Sequence, residues 1–564
     1  MDGQLEFETP KLSGDSERLP RWLIFALIPF AGIVLFYNLG SCRTFGSHEV
    51  FAAVPAREMI RSNDWIVPKF GGLPRLKKPP LAYWVVATSA TVFGRLDEWS
   101  ARFPAACSAL LLSLVLGYWG WKRYGKIAGI ASGIVQLTSI YVILFERKAE
   151  IDMMLCLFTT VAIFLISEHG AEHSRKHQFW RWTAIYTFIS LSWLAKFHFG
   201  PAMIVAPVVI YFVLEKRFRE LKCFFHPVGL VLFVAAVVIW PYFVLQQVPD
   251  AWSVWKTETM GRAVGELGRQ PVWFYIPNIL WLTLPWTPFA LWAIPQSFRR
   301  AWKEHDSHER FLWIWFLANF AIVTISAEKH KHYIMSALPV FSLLAGQSLQ
   351  GLVRKIRDGE FRISPRLTIL HAVFVVAGMS TVDYFAEKKY PYLHSAIVFF
   401  CVTMTVGSVL GVWLMQKKRY QFSLGLTLVT SSLGLMIFMQ GILPARDHSA
   451  HYARFSQRIR NKLISRANVT VYKLGQSSVV YYLNDPVTRS ESLEDLKTRL
   501  RENGILQLVT MEMYLPELAT LGKLQIVESM KGKKLIPKLK HPPLVLIDLE
   551  RPPQMTSEKP DRRQ

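Results

Sequence analysis

Apolar residues in this chain gather into blocks long enough to cross hydrocarbon, which takes about 20 residues per helix. The first block runs from about Trp22 to Leu39. Others follow near 80–95, 103–121, 127–145, 151–167, 180–196, 199–214, 225–247, 276–295, 309–326, 332–350, 366–384, 392–414 and 421–441. Short basic connectors separate many of them: Arg175/Lys176/Arg181, Lys216/Arg217/Arg219, Arg299/Arg300/Lys303, Arg354/Lys355/Arg357/Arg362 and Lys417/Lys418/Arg419. Placing all five in the cytoplasm satisfies the positive-inside rule. The same assignment puts Asp152, the 248–275 loop, the 327–332 connector and everything after Pro444 on the opposite side. Loop 41–79 and Asp152 then both face outward, so an even number of crossings separates them. Three apolar blocks lie between, so one of 80–95, 103–121 and 127–145 does not fully span, which leaves about thirteen spans.

From about Ala445 the period changes. Segments 468–473, 478–483, 505–510, 524–528 and 543–549 are short and rich in Val, Ile, Leu and Tyr, as strands are. Glu491 to Asn503 has helical apolar spacing with charges on its other face. The pattern therefore predicts an all-α polytopic membrane protein of about thirteen transmembrane helices with a small C-terminal α/β domain outside the cytoplasm. The expected divisions are a cytoplasmic tail (1–21), a transmembrane domain (22–444) with an outer loop (41–79), an extracytoplasmic α/β domain (445–550) and a disordered polar tail (551–564).

Composition sharpens this picture. The 564 residues are 51% hydrophobic and carry a formal charge of +24. That charge sits in the connectors rather than in a basic stripe with a nucleic-acid motif, which argues against nucleic acid as a partner. Cys42, Cys107, Cys156, Cys223 and Cys401 lie mostly in or beside apolar blocks without metal-ligand spacing, so they read as small packing residues. The first twenty residues lack the basic start of a cleaved signal peptide. The first block is therefore expected to be retained, in a multi-pass protein of the cell membrane.

Candidate chemistry concentrates in the outer loop, since long ordered connectors tend to be functional. It contains Gly46-Ser47-His48-Glu49-Val50, then Arg57-Glu58-Met59, Asn63-Asp64-Trp65, and Lys77-Lys78-Pro79-Pro80-Leu81-Ala82-Tyr83-Trp84. Residues 50–61 have helical spacing and suit a helix lying along the membrane surface, with His48 and Glu49 at its positive dipole end. Asp152 stands at the mouth of an apolar block, where a carboxylate is costly and usually functional. Lys196 falls at an outer turn, and Lys329-His330-Lys331-His332-Tyr333 forms a further outward cluster. Cations between those imidazoles disfavour a metal there; no cofactor is expected, and a divalent ion is left open but not indicated.

These segments, in this order, resemble the aminoarabinose-transferase and protein-mannosyltransferase branch of the C-type, polyprenyl-phosphate-sugar-dependent glycosyltransferases. The match is strongest over 46–84 and continues at Ala149–Met154, Leu194-Ala195-Lys196 and Lys331-His332-Tyr333 through Pro339. Aligned on Arg57-Glu58-Met59, His48 stands where the family has an Asp and Glu49 where it has a Glu. Lys77 occupies the family's acidic position before Lys78. The resemblance implies transfer of a sugar from a polyprenyl-phosphate donor to an extracytoplasmic lipid, glycan or protein acceptor. Such transfer needs a base for the acceptor proton and cations for the leaving phosphate. His48, Glu49 and Asp152 are the catalytic candidates. Arg57, Lys78, Tyr83, Lys196, Lys329, Lys331, His332 and Tyr333 are the substrate-binding candidates.

Plainer readings stand beside these. In these, His48 is an ordinary loop residue, Glu49 a helix-start charge and Asp152 a cap. Lys78 suits snorkelling to the interface, Arg57 and Arg102 structural pairing, and Trp281, Trp286 and Tyr275 an interfacial belt. Two rival functions are a transporter or flippase of a lipid-linked substrate and an inactive relative with a binding role. A transporter should carry ionisable or Gly/Pro-broken helices near mid-membrane, whereas here the charges gather at span ends.

Overall fold

The structure, a computed structural model, describes residues 21–551 apart from 169–173, 265–269, 361–363, 390, 446, 448, 464–468, 475–476, 484–486 and 531–542. Except for Arg21 and Arg551, the two expected tails lie outside the described residues. The chain divides into two compact units. One comprises Met1–Cys42 with Leu76–Ala445, the other Arg43–Arg75 with Arg446–Gln564.

The larger unit is helical, as hydrocarbon requires, because a helix satisfies its backbone polar groups internally. Among the described residues, five helices are long and apolar enough to cross a membrane: Glu98–Tyr124, Pro227–Gln247, Pro365–Lys388, Pro391–Gln416 and Tyr420–Ile442. A bent pair, Lys331–Ala337 followed by Pro339–Ile356 at 55°, makes a sixth if taken as one span. The stretch between 80 and 145 is irregular. The helix Leu81–Val92 has 12 residues, about 18 Å at 1.5 Å per residue. The 127–145 block breaks at Ser139, whose extended φ −66°, ψ 139° separates Lys126–Thr138 from Ile140–Phe145.

Small residues set the packing around Lys126–Thr138. A Cβ on Gly129 would lie 2.6 Å from the Gly117 carbonyl, and one on Gly346 would lie 2.1 Å from Ser132 Oγ. Both glycines let backbones approach as closely as membrane helix interfaces require. Two buried arginines close the end of the first helix, Arg21–Phe36. Arg147 donates to the Val34 and Tyr37 carbonyls at 2.7 and 2.9 Å, and Arg102 donates to Leu39 O at 2.9 Å. These carbonyls have no intrahelical donor, so the guanidinium groups satisfy them and favour the negative end of the dipole.

The smaller unit joins the outer loop to the C-terminal segment. Its loop part is the helix Ser47–Ser62 and a hairpin of β1 (Lys69–Phe70) and β2 (Leu73–Pro74). Gly71 and Gly72 turn the hairpin with φ of 62° and 77°, values a side chain at both central positions would resist. The C-terminal part is a mixed sheet of β3 (Val469–Tyr472), β4 (Val487–Ser490), β5 (Ile505–Met511), β6 (Lys523–Ser529) and β7 (Leu544–Glu550), in the order β4-β3-β5-β7-β6. β3 runs parallel to β4 and β5, and β7 lies antiparallel between β5 and β6. Leu506, Leu508, Val545, Ile547 and Leu549 meet the helix Leu493–Asn503 through Leu496 and Leu500 to form its core.

One expected strand is corrected. Ser478–Leu483 is a helix, and Val487–Ser490 supplies the strand instead. A six-residue apolar run has no decisive period. Here its burial of Ser478, Val479, Val480 and Leu483 selects the helix. The outer loop also differs from expectation. Its helix packs within the unit that holds the C-terminal sheet, rather than belonging with the membrane helices.

Candidate active site

Asp152 opens the helix Asp152–Ser167 and Lys196 closes the helix Arg175–Lys196. The acid therefore sits at a positive helix end and the base at a negative one, where each is favoured. Phe197, at φ 45°, ends the second helix immediately after Lys196. Asp152 Oδ1 and Lys196 Nζ are 2.5 Å apart, with the two side chains 3% and 12% exposed. In a low-dielectric setting such a pair holds only when both charges are present.

Three more predicted residues gather here. Lys78 and His332 lie within electrostatic reach of the Asp152 carboxylate. Lys196 Nζ stands 4.7 Å from the centroid of the Tyr333 ring and 5.6 Å from that of Phe199. His332 in turn packs edge-on against Tyr333 at 4.7 Å and Phe145 at 6.0 Å. Four distant stretches thus converge: Lys78 beside the prolines, Asp152, Lys196 and His332-Tyr333. The result is a compact cationic centre around one buried carboxylate, with aromatic walls. It can hold an anion and order a polar group beside it.

The remaining candidates divide by their contacts. Lys329 is buried and donates to the carbonyls of Ser326 at 2.7 Å and Gln270 at 3.3 Å, so it fastens the connector. Lys331 directs its ammonium at the Trp281 ring, 5.0 Å from the centroid. Tyr83 is buried in the helix Leu81–Val92.

His48, Glu49 and Arg57 belong to the smaller unit, not to the unit that holds Asp152. Glu49 is 1% exposed. Its Oε2 accepts from the Gly46 amide at 2.9 Å and pairs with Arg43 at 3.3 Å. It caps its own helix. His48 is exposed, with its ring edge-on to Phe51 at 6.4 Å. Arg57 donates to the Tyr481 and Val480 carbonyls at 2.7 and 2.9 Å. Glu58 accepts from the Gly71 amide at 2.8 Å and the Gly72 amide at 3.3 Å. Burial pushes its carboxyl above the ordinary range, although those amides oppose the shift. We expect Glu49→Ala to destabilise the smaller unit by about 1–2 kcal/mol, the usual worth of a helix cap. Hydrogen exchange at residues 47–50 checks this, and unchanged protection would reject the capping role.

Glu328, not singled out in the sequence, and His330 of the outward cluster adjoin the Asp152 centre. His330 Nε2 is 2.8 Å from Glu328 Oε1, and the His330 ring stacks on His332 with centroids 5.4 Å apart and planes 8° off parallel. The alternation Glu328-Lys329-His330-Lys331-His332 was the only signal available, and spacing alone does not show which ring a carboxylate holds. Among the described residues, no group of three His, Cys, Asp or Glu side chains is placed to hold a metal ion.

Comparison with known proteins bears on this geometry. A family model described as dolichyl-phosphate-mannose-protein mannosyltransferase matches residues 77–243. That stretch includes Lys78, Asp152 and Lys196. The undecaprenyl phosphate-alpha-4-amino-4-deoxy-L-arabinose arabinosyl transferase of Pseudomonas savastanoi pv. phaseolicola is 27% identical over 350 residues, 60% of this chain and 62% of the relative. A second such transferase, from Pseudomonas fluorescens, is 23% identical over 431 residues, 74% of this chain and 72% of the relative. Among solved structures, ArnT from Cupriavidus metallidurans bound to undecaprenyl phosphate aligns with a TM-score of 0.77 at 20% identity, covering 93% of this chain and 98% of that one. The Archaeoglobus fulgidus oligosaccharyltransferase shares the fold more distantly, with a TM-score of 0.51 at 11% identity, covering 87% of this chain and 69% of that one. With Lys78, Asp152 and Lys196 inside the matched stretch and the fold shared along nearly its whole length, the chain is similar to the aminoarabinose transferases and to the protein-mannosyltransferase family model.

Proposed function

We propose that the protein transfers a sugar from a polyprenyl-phosphate-linked donor to an acceptor outside the cytoplasm. The observation that carries this reading is the buried Asp152–Lys196 pair with Lys78 and His332 around it. A leaving polyprenyl phosphate is an anion tethered at the membrane, and Lys78 and Lys196 supply the opposite charge. The acceptor oxygen or nitrogen forms its bond to the anomeric carbon, while the carbon–phosphate-oxygen bond breaks with its electron pair on the phosphate. Asp152 holds Lys196 oriented for that charge, and Tyr333 and His332 wall the sugar side. The reading requires no cofactor. The named relatives act from undecaprenyl phosphate sugars, and the fold neighbour was solved with undecaprenyl phosphate, which supports this donor class.

The architecture we propose has about thirteen crossings, with the C-terminal unit outside. Tag-accessibility mapping tests it, and a cytoplasmic C-terminal unit would overturn it. The activity is tested by supplying purified protein with radiolabelled polyprenyl-phosphate sugars and a membrane extract. Label should pass to a lipid, glycan or protein. Folded protein that transfers to none of these would refute the enzyme reading and return attention to a binding role.

A further inference from the structure

We propose that Glu328 and His330 form a carboxylate–imidazole dyad in which His330 Nδ1 takes the acceptor's proton during transfer. The inference rests on the transferase reading above. His330 Nε2 lies 2.8 Å from Glu328 Oε1, a distance at which the ring nitrogen donates to the carboxylate. Holding that proton on Nε2 leaves Nδ1 as the lone-pair nitrogen of the neutral ring. A base oriented by a third group through its far nitrogen is the general arrangement of activated imidazoles.

Burial assigns the two members different parts. The Glu328 side chain is 13% exposed, whereas the His330 side chain is 44% exposed. Glu328 Oε2 is buried without a hydrogen-bond partner. Such a group is costly and leaves His330 as the partner that answers its charge. The imidazole is thus fixed from the protein side and open on the other. Its location connects it to the reaction centre. The ring stacks on His332, which lies within electrostatic reach of Asp152, Lys196 and Lys78. Tyr333 packs edge-on against both rings, at 5.2 Å from His330 and 4.7 Å from His332. Asp152 is committed to Lys196 at 2.5 Å, so the imidazole stacked on His332 is better placed to accept a proton than the carboxylate within that ion pair.

The step balances. The acceptor's proton passes to His330 Nδ1, its lone pair bonds the anomeric carbon, and the breaking bond's electrons stay on the phosphate facing Lys78 and Lys196. Glu328 then stabilises the imidazolium formed. His330 is the catalytic member; Glu328 is a positioning residue.

The test is the labelled-transfer assay with wild-type protein, His330→Ala and Glu328→Gln, with and without added imidazole. We expect His330→Ala to lower kcat by about a hundredfold or more while KM for the donor stays within about twofold. Free imidazole should restore part of that kcat to His330→Ala and leave the wild-type rate unchanged. Glu328→Gln should fall by about tenfold without imidazole rescue, because its ring is present but no longer held. Wild-type transfer with an unaffected His330→Ala, or a lost rate that imidazole never restores in a variant that still binds polyprenyl phosphate, overturns the dyad alone. Absence of transfer by the wild type under every donor overturns the transferase reading and the dyad with it.

Discussion

Asp152→Asn will abolish most transfer, by about a hundredfold or more, the scale expected when a charged group of a reaction centre is neutralised. The substitution keeps the shape of the side chain and removes its charge. Lys196 then remains 12% exposed with no carboxylate 2.5 Å away. Breaking a buried pair from one side costs about 3–5 kcal/mol, because the surviving charge is uncompensated. Loss of rate and loss of stability must therefore be separated. The double variant Asp152→Asn with Lys196→Met removes both charges and should recover thermal stability relative to the single variant. Its transfer rate should stay as low as that of either single change, since residues acting as a unit are not additive. Rates per folded molecule, with melting measured alongside, decide the matter. An Asp152→Asn protein that transfers at near the wild-type rate would remove Asp152 from the reaction centre, as would a double variant that recovers rate together with stability.

Truncation after Ala445 will unfold the outer loop. Residues 43–75 and the C-terminal segment form one unit, and the loop's polar groups find their partners in the part that would be lost. Thr44 donates from its amide and its hydroxyl to Asp447 Oδ2, at 2.5 and 2.8 Å. The Phe45 amide donates to Tyr482 Oη at 2.7 Å. Arg57 spans two carbonyls of the helix Ser478–Leu483, and the Arg489 amide donates to Gly71 O at 3.3 Å. A 16-residue helix with these partners removed is marginal in water. Hydrogen exchange across 47–62 should rise by orders of magnitude in the truncated protein. Arg57→Met should produce a smaller version of the same effect, a loss of about 3 kcal/mol or more for two charge-assisted bonds. Protection of 47–62 that survives truncation would show that the loop folds without the C-terminal segment.

The helical, apolar character of the larger unit was legible because hydrocarbon imposes length and apolarity locally, residue by residue. Most of the C-terminal strands and the helix Leu493–Asn503 followed from their period. Lys78, Asp152, Lys196, His332 and Tyr333 were also identifiable singly, because a charge or polar ring beside an apolar block is expensive enough to need a reason. Their convergence was not legible. It depends on which helix ends meet, and that is fixed by close packing such as that at Gly129 and Gly346. The sequence could not show which groups Glu49 meets, because an acid at a helix start suits several partners; the structure gives it the Gly46 amide and Arg43. Nor could it separate Ser478–Leu483 as strand from helix, because six apolar residues carry no period and the choice belonged to what they pack against. Length, charge and period are properties of one segment and were determined by the sequence itself. Partnership is a property of two segments, and only the tertiary structure decided it.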